Sequence, residues 1–258
     1  MESDEASSLP SSPTTRTSTP SSLNPDAPPR TKICVYCGSA PGHDPIHLET
    51  ARALARAMAA NNIALVYGGG TIGLMGEVAR TLVALSGPDS VHGIIPEALV
   101  RYERDPNYTS THNGNGNGNG AKTTCAAGLA VPEATVFGRT TVVKDMHTRK
   151  LMMAREVLAG GPGSGFIALS GGYGTVEELL ETATWNQLGI HSKGICLLNV
   201  NGFYDGLLDW VKKSVAEGFI QAGNESILAH ATTAEDAIRA LREYRLSPSV
   251  LKLSWGNN

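Results

Sequence analysis

The 258-residue sequence has few aromatic residues, few cysteines and little net charge. Aromatic residues make up 5% of it, there are four cysteines, and the formal net charge is −3. This balance argues against a nucleic-acid binder, which needs a basic surface. No stretch approaches the roughly 20 apolar residues that span a membrane. The first residues lack a secretory apolar core and include Glu2, Asp4 and Glu5, so we predict a soluble, cytoplasmic protein.

Cysteine chemistry is not expected. Cys34 and Cys37 match C-x-x-C, a pattern found in redox sites and in half of many metal sites. A reactive C-x-x-C normally opens a helix, whereas the apolar run 33–37 indicates a strand. Residues three apart on a strand face opposite sides. We therefore interpret both residues as buried thiols.

Two segments have compositions that bury almost no apolar surface. Residues 1–30 contain twelve Ser or Thr and six Pro, which predicts a disordered tail. Residues 104–128 include four Asn-Gly repeats and predict a flexible insert. We assign one domain to 31–246 and a C-terminal tail to 247–258.

Within the domain, β-type runs alternate with helical periodicities. Strands are predicted at 32–37, 63–67, 91–95, 165–169 and 194–199, with a further strand near 134–137. Helices are predicted at 46–60, 73–85, 141–158, 175–188, 204–217 and 233–244. This alternation predicts an α/β fold, with one doubly wound parallel sheet and helices on both faces. Ligands of such sheets bind beyond the carboxyl ends of the strands.

A first glycine-rich turn follows the second predicted strand. The segment Gly68–Gly76 leads into a helix, whose free N–H groups favour an anion. It matches G-x-G-x-x-G, but that fingerprint belongs after the first strand of its unit, and no lysine follows as in a P-loop. We predict Gly69, Gly70 and Thr71 as phosphate contacts. The alternative is a tight turn without a ligand.

A second glycine-rich turn, within Ser170–Glu178, follows the strand at 165–169. Two such turns in one sheet can aim N–H groups and a Thr hydroxyl at one phosphate. Neither turn supplies the cation or metal ligands of a triphosphate site, so a monophosphate fits better. Glu178 has a competing interpretation, because Thr175-x-x-Glu178 has the spacing of a capping box.

The segment Met146–Lys150 supplies a further candidate, Arg149, which can present a planar fork to a phosphate or a purine edge. The alternative is a surface pair with Asp145, four residues earlier. His147 alone is more typical of a packed or capping histidine than of a catalyst. We find no metal constellation and predict no cofactor, since a proline separates the two histidines at 43 and 47.

Together, Gly68–Gly76, Met146–Lys150 and Ser170–Glu178 resemble the Lonely Guy family of cytokinin riboside 5′-monophosphate phosphoribohydrolases, long mislabelled lysine decarboxylases. Tyr36–Ser39 and Thr184–His191 look like family sequence too, and the similarity runs from about Lys32 to Ala222. The resemblance implies a Rossmann-like fold and a homodimer or larger assembly with active sites at the subunit interface.

The resemblance also assigns roles to residues. Arg149 and Glu178 correspond to the catalytic arginine and glutamate. Substrate contacts carry over to Glu103, Lys150, Gly172, Tyr173, Gly174, Thr175, Val176, Glu177 and Thr184, with Ser39 in the matching stretch after the first strand. One departure is Ser170, which replaces the proline that usually opens the second glycine motif. We expect slightly weaker preorganisation of that turn.

The implied activity is hydrolysis of the N-glycosidic bond of an N6-substituted AMP, which releases the free base and ribose 5-phosphate. Glu178 would stabilise the oxocarbenium ion or activate water, and Arg149 would orient phosphate or base. One alternative is a broader nucleosidase acting on AMP or pyrimidine nucleotide 5′-monophosphates. Another is a non-catalytic nucleotide or molybdenum-cofactor carrier on the same fold. The presence of both Arg149 and Glu178 favours an enzyme.

Overall fold

The computed structural model describes residues 29–100, 131–251 and 253. Their strands form one parallel seven-stranded sheet in the order β4-β3-β2-β1-β5-β6-β7. The strands are β1 (Lys32–Tyr36), β2 (Ala64–Tyr67), β3 (Val91–Pro96), β4 (Arg139–Val143), β5 (Gly165–Ala168), β6 (Gly194–Leu198) and β7 (Leu228–Ala231). Strand order reverses between β1 and β5, which pair in parallel from Ile33↔Gly165 to Tyr36↔Ala168. A crevice for ligands opens at such a reversal.

Seven α-helices cover the sheet within the described residues. They are α1 (Ile46–Ala60), α2 (Gly73–Ser86), α3 (Ala134–Phe137), α4 (Met146–Leu158), α5 (Tyr173–Gln187), α6 (Asp205–Ala216) and α7 (Ala234–Glu243). Short 3-10 turns lie at Pro88–Ser90, Glu97–Leu99, Val200–Gly202 and Ala222–Ile227. Among the described residues, no helix is long and apolar enough to cross a membrane.

The core consists of two layers, one on each face of the sheet. Alternate residues of β1 enter opposite layers: Ile33 and Val35 pack with α1, α2 and α7, whereas Cys34 and Tyr36 pack with α4 and α5. Cys37 is buried on the first side. The predicted doubly wound sheet with helices on both faces is therefore confirmed, as are the two buried thiols.

Three elements differ from the predictions. The strand expected near 134–137 is wrong, because this segment forms the single turn α3, and a short apolar run cannot be assigned by periodicity alone. The helix expected over 141–158 is too long: β4 pairs with β3 from His92↔Arg139 to Pro96↔Val143, and α4 begins at Met146. The strand β7 was not predicted, since its sequence Leu-Ala-His-Ala has little β propensity.

Candidate active site

The loops after β1, β2 and β5 meet at one point, and the Gly38 peptide connects them. Its N–H donates to the carbonyl of Ser170, at 3.0 Å, in the second glycine turn. Its carbonyl accepts from the N–H groups of Leu74 and Met75, at 3.1 and 3.3 Å, where the first glycine-rich segment enters α2. The two glycine-rich turns predicted to share a ligand therefore lie side by side at the crevice.

A cavity of about 290 Å³ opens between these turns. Its lining includes these predicted site residues: Ser39, Arg149, Gly172, Tyr173, Gly174, Thr175, Glu177 and Glu178. It also includes Gly68, Met75 and Met146, which were not predicted as contacts. Met146 lies three residues before Arg149, one helical turn away on the same face, and this spacing could have identified it.

The remaining predicted residues within the described part of the chain do not line this cavity. Gly69, Gly70 and Thr71 are buried behind Gly68, and the Thr71 carbonyl accepts a hydrogen bond from Arg80 at 3.2 Å. Val176 packs against the apolar layer beneath α5. Thr184 is exposed, and its hydroxyl donates to the carbonyl of Leu180 at 2.8 Å. Glu103 lies outside the described residues.

Arg149 is held in the crevice and is only 6% exposed. Its Nε donates to the carbonyl of Ile94, on β3, at 3.2 Å, and Nη1 lies 3.7 Å from Sδ of Met146. A Cβ placed on Gly68 would fall 1.8 Å from Nη2, so only glycine leaves room for the guanidinium. The alternative of a surface pair with Asp145 is wrong, because Asp145 caps α4 through the N–H of Thr148.

Glu178 faces Arg149 across the cavity. It is 9% exposed, and its Oε1 lies 3.9 Å from Nη1 of Arg149, too far for a direct hydrogen bond. The capping-box interpretation is wrong, because the N-cap of α5 is Gly172 and Glu178 lies in the second turn. Within the cavity, the guanidinium of Arg149 and the carboxylate of Glu178 are therefore held near each other.

Cys34 lies on β1 beneath this pair. Burial raises the pKa of its thiol well above the ordinary value, and the negative charge of Glu178 raises it further. The thiol therefore stays neutral at physiological pH, and its role is packing. No group of three or more His, Cys, Asp or Glu side chains in the described part of the chain could hold a metal ion.

Lys150 ties α4 to α5 beside the cavity. Its Nζ lies 2.7 Å from Glu177 and 3.0 Å from Glu181. Burial alone would lower the pKa of Lys150, but the hydrogen bonds to the two carboxylates outweigh it and raise that pKa. Within one chain, Lys150 holds Glu177 in place at the cavity wall and does not itself line the cavity.

A family model described as "Possible lysine decarboxylase" matches residues 75–241. A bifunctional cytokinin biosynthesis protein of Fusarium pseudograminearum is 50% identical over 225 residues, 87% of this chain and 42% of that protein. This chain therefore spans less than half of the Fusarium protein. A probable cytokinin riboside 5′-monophosphate phosphoribohydrolase of Oryza sativa is 41% identical, over 84% of this chain and 81% of that protein. An Arabidopsis thaliana enzyme named cytokinin riboside 5′-monophosphate phosphoribohydrolase is 40% identical, over 83% and 82%.

Solved structures share the fold at low identity. A molybdenum cofactor carrier protein of Chlamydomonas reinhardtii superposes with a TM-score of 0.51 at 16% identity, over 83% of this chain and 97% of that one. A molybdenum cofactor binding protein of Rippkaea orientalis gives 0.51 at 18% identity, over 84% and 97%. The family model covers most of the chain, and the plant relatives match over four fifths of their length. The chain therefore belongs to the Lonely Guy family of cytokinin riboside 5′-monophosphate phosphoribohydrolases.

Proposed function

We propose that this protein hydrolyses the N-glycosidic bond of cytokinin riboside 5′-monophosphates, which are N6-substituted forms of AMP. The products are the free base and ribose 5-phosphate. The names of the rice and Arabidopsis relatives support this substrate class. The observation that carries the proposal is the approach of Arg149 and Glu178, at 3.9 Å, across a cavity bounded by two glycine-rich turns.

The substrate phosphate binds at the start of α5, where Gly172 is the N-cap and Thr175 lines the cavity. Free N–H groups at a helix start and its positive dipole end favour an anion. Arg149 adds a fixed positive charge that orients the phosphate or the base. A nucleoside without phosphate would leave these groups to water, so the monophosphate is required for turnover.

The chemical step breaks the bond between C1′ and the base nitrogen. The electron pair of this bond leaves with the purine, which takes up a proton, and the ribose acquires oxocarbenium character. The Glu178 carboxylate stabilises that positive charge and accepts a proton from the attacking water, whose oxygen forms the new bond to C1′. A positioned general base of this kind contributes about 10²–10⁴-fold to the rate.

We further propose that a second copy of the chain completes the site. Met146 and Tyr173 both line the cavity and are 40% and 99% exposed, so apolar surface surrounds its mouth. Thr184 and Lys150, assigned by the resemblance as substrate contacts, do not line the cavity of a single chain. Light scattering should give a mass of at least two chains of 27.1 kDa each. A monomer that retains full activity would contradict this arrangement.

The expected cytoplasmic location stays a prediction.

The deciding experiment compares three compounds with the purified protein: isopentenyladenosine 5′-monophosphate, its riboside without phosphate, and AMP. Release of free base from the N6-substituted monophosphate, with little from the riboside, is the expected result. Equal turnover of AMP would indicate the broader nucleosidase. Binding without base release would indicate a carrier. Comparable turnover of the riboside would refute the phosphate site.

A further inference from the structure

A hydrogen bond outside the cavity connects the second glycine turn to the start of α1. The Ser170 hydroxyl oxygen lies 3.0 Å from Nδ1 of His47, the second residue of α1. The hydroxyl donates when this nitrogen is unprotonated and accepts when the nitrogen carries the proton. The contact therefore persists in either form of the imidazole.

The His47 ring is held from other directions as well. Phe203 meets it edge-on, with ring centroids 5.7 Å apart and an interplanar angle of 75°. Gly42 also lies against the ring, since a Cβ there would fall 3.0 Å from Cδ2 of His47. The Asp44 carboxylate accepts a hydrogen bond from the N–H of Ile46, the first residue of α1, at 2.9 Å, which holds the helix start that carries His47. The ring therefore has a defined position and can hold the serine hydroxyl in place.

Ser170 in turn sets the position of the glycine turn. It is 7% exposed, directly follows Leu169, whose N–H donates to the carbonyl of Tyr36 at 2.9 Å, and accepts a hydrogen bond from Gly38 through its carbonyl. Two residues later, Gly172 is the N-cap of α5, the helix that carries Glu178. Serine lacks the ring with which proline fixes φ, so this turn depends on contacts from outside.

We propose that His47 is a positioning residue for the phosphate-binding turn, acting through the Ser170 hydroxyl. The inference rests on the proposed function in so far as the turn binds a substrate phosphate. Ser170 does not itself line the cavity, so the Ser170–His47 pair orients the turn and does not supply a nucleophile.

The test is a double-mutant cycle with His47→Ala, Ser170→Ala and the double variant, together with His47→Asn. Asparagine places an amide group near the position of Nδ1 and can restore the contact. The readouts are the Kd of AMP, KM and kcat for isopentenyladenosine 5′-monophosphate, and hydrogen exchange of the backbone amides at 171–173 without ligand.

Each single alanine variant should weaken AMP binding and raise KM by about fivefold, the usual worth of one neutral hydrogen bond. Because the turn binds phosphate equally in ground and transition states, kcat should change by less than about twofold. The double variant should be no worse than either single variant, and His47→Asn should recover most of the loss. Exchange at 171–173 should accelerate in the alanine variants.

Independent, multiplicative effects of the two alanine changes, or unchanged exchange at 171–173, would overturn the inference. So would labelling of Ser170 by a fluorophosphonate, which would identify a nucleophile. If the wild-type protein binds no AMP, the proposed function fails, and the exchange measurement still decides the role of His47. If His47→Ala does not fold, Ser170→Ala, which removes a single hydroxyl, carries the test.

Discussion

At the scale of single residues, the site depends on two buried charges whose positions have different origins. Arg149 donates a hydrogen bond to the Ile94 carbonyl, and its guanidinium occupies the space that the absence of a side chain at Gly68 leaves. Glu178 is placed by α5, one turn beyond the residues that start the helix. Burying a charge without compensation is costly, and the two groups of opposite sign lie near enough to reduce that cost for each other.

The first prediction concerns the carboxylate. Glu178→Gln keeps the size of the side chain and removes its charge, so oxocarbenium stabilisation and base function are lost. We expect kcat to fall at least about 10²-fold while the Kd of AMP changes little. Glu235→Gln, an exposed residue on the other face of the sheet, provides a control for charge loss. If Glu178→Gln retains more than a third of the wild-type activity, the activation free energy has risen by less than about 0.65 kcal/mol. The carboxylate is then not the catalyst.

The second prediction concerns the room for Arg149. In Gly68→Ala the new Cβ would overlap Nη2 at 1.8 Å, so the guanidinium must move away from Glu178. We expect kcat/KM to fall about 10- to 10²-fold, the effect of misplacing a catalytic group by about 1 Å. Gly206→Ala is the matched control, because a Cβ there meets nothing within 4 Å. A Gly68→Ala enzyme as active as Gly206→Ala would show that this approach is unimportant.

At the scale of elements, a buried histidine connects α5 to the residue just before β6. Nε2 of His191 donates to the carbonyl of Thr182 at 2.9 Å, and Nδ1 accepts from the N–H of Lys193 at 3.1 Å. This pattern requires a neutral ring, because a protonated Nδ1 cannot accept. Burial lowers the pKa of His191 below its ordinary value of 6.5, and the positive charge of Lys193 adds to the effect.

The third prediction follows from this shift. The unfolded chain takes up the His191 proton near pH 6.5, whereas the folded protein resists it to lower pH. This contribution to stability is therefore complete above pH 6.5 and is lost as the pH falls below it. His92, whose pKa is also lowered, chiefly by burial, acts in the same direction. We expect Tm to fall by about 2–4 °C for each kcal/mol lost between pH 7 and pH 5.5.

The variant His191→Asn keeps an acceptor for Lys193 and cannot titrate. It should have a lower Tm than the wild type at pH 7 and a smaller decrease of Tm towards pH 5.5. Identical pH slopes in calorimetry would show that His191 does not contribute to acid sensitivity.

At the scale of the whole molecule, the domain is held at its N-terminal edge by residues that the composition placed in the tail. Arg30 donates from Nε to the Asn62 carbonyl at 3.0 Å, and its own carbonyl accepts from Gly161 at 3.1 Å. At the other end, Ser247 is buried and Leu251 donates to the carbonyl of Gln187 at 3.0 Å. Contacts with the domain thus extend beyond the predicted range 31–246.

The fourth prediction uses two truncations as a matched pair. Removing residues 1–28 should leave Tm and activity unchanged, because their Ser/Thr/Pro-rich composition offers little apolar surface. Removing residues 1–30 also deletes both Arg30 hydrogen bonds and should cost roughly 1 kcal/mol for each of them. Denaturant unfolding measures the difference. Equal stabilities would show that the Arg30 contacts add nothing, and a large loss in the shorter truncation would show that the tail packs on the domain.

The sequence by itself determined the five central strands, most helices and both glycine turns. Strands β1, β2, β3, β5 and β6 have neighbours on both sides and helices on both faces, so they are nearly continuous apolar runs that a local pattern reveals. Arg149 and Glu178 were identifiable because their motifs are local. Edge strands β4 and β7 are half-exposed, and their mixed composition resembles that of helix or loop.

Tertiary structure alone decided which residues meet. Because α5 starts at Tyr173, Glu178 lies in the cavity and is not a capping residue. Arg149 lies against Gly68 and is buried, so it is not part of a surface pair. The sequence pattern also does not predict that Thr184 lies away from the cavity or that Ser170 contacts His47. Periodicity records whether a side chain is buried, because burial repeats along an element. Contacts between distant segments depend on how the elements pack, and no local spacing encodes them.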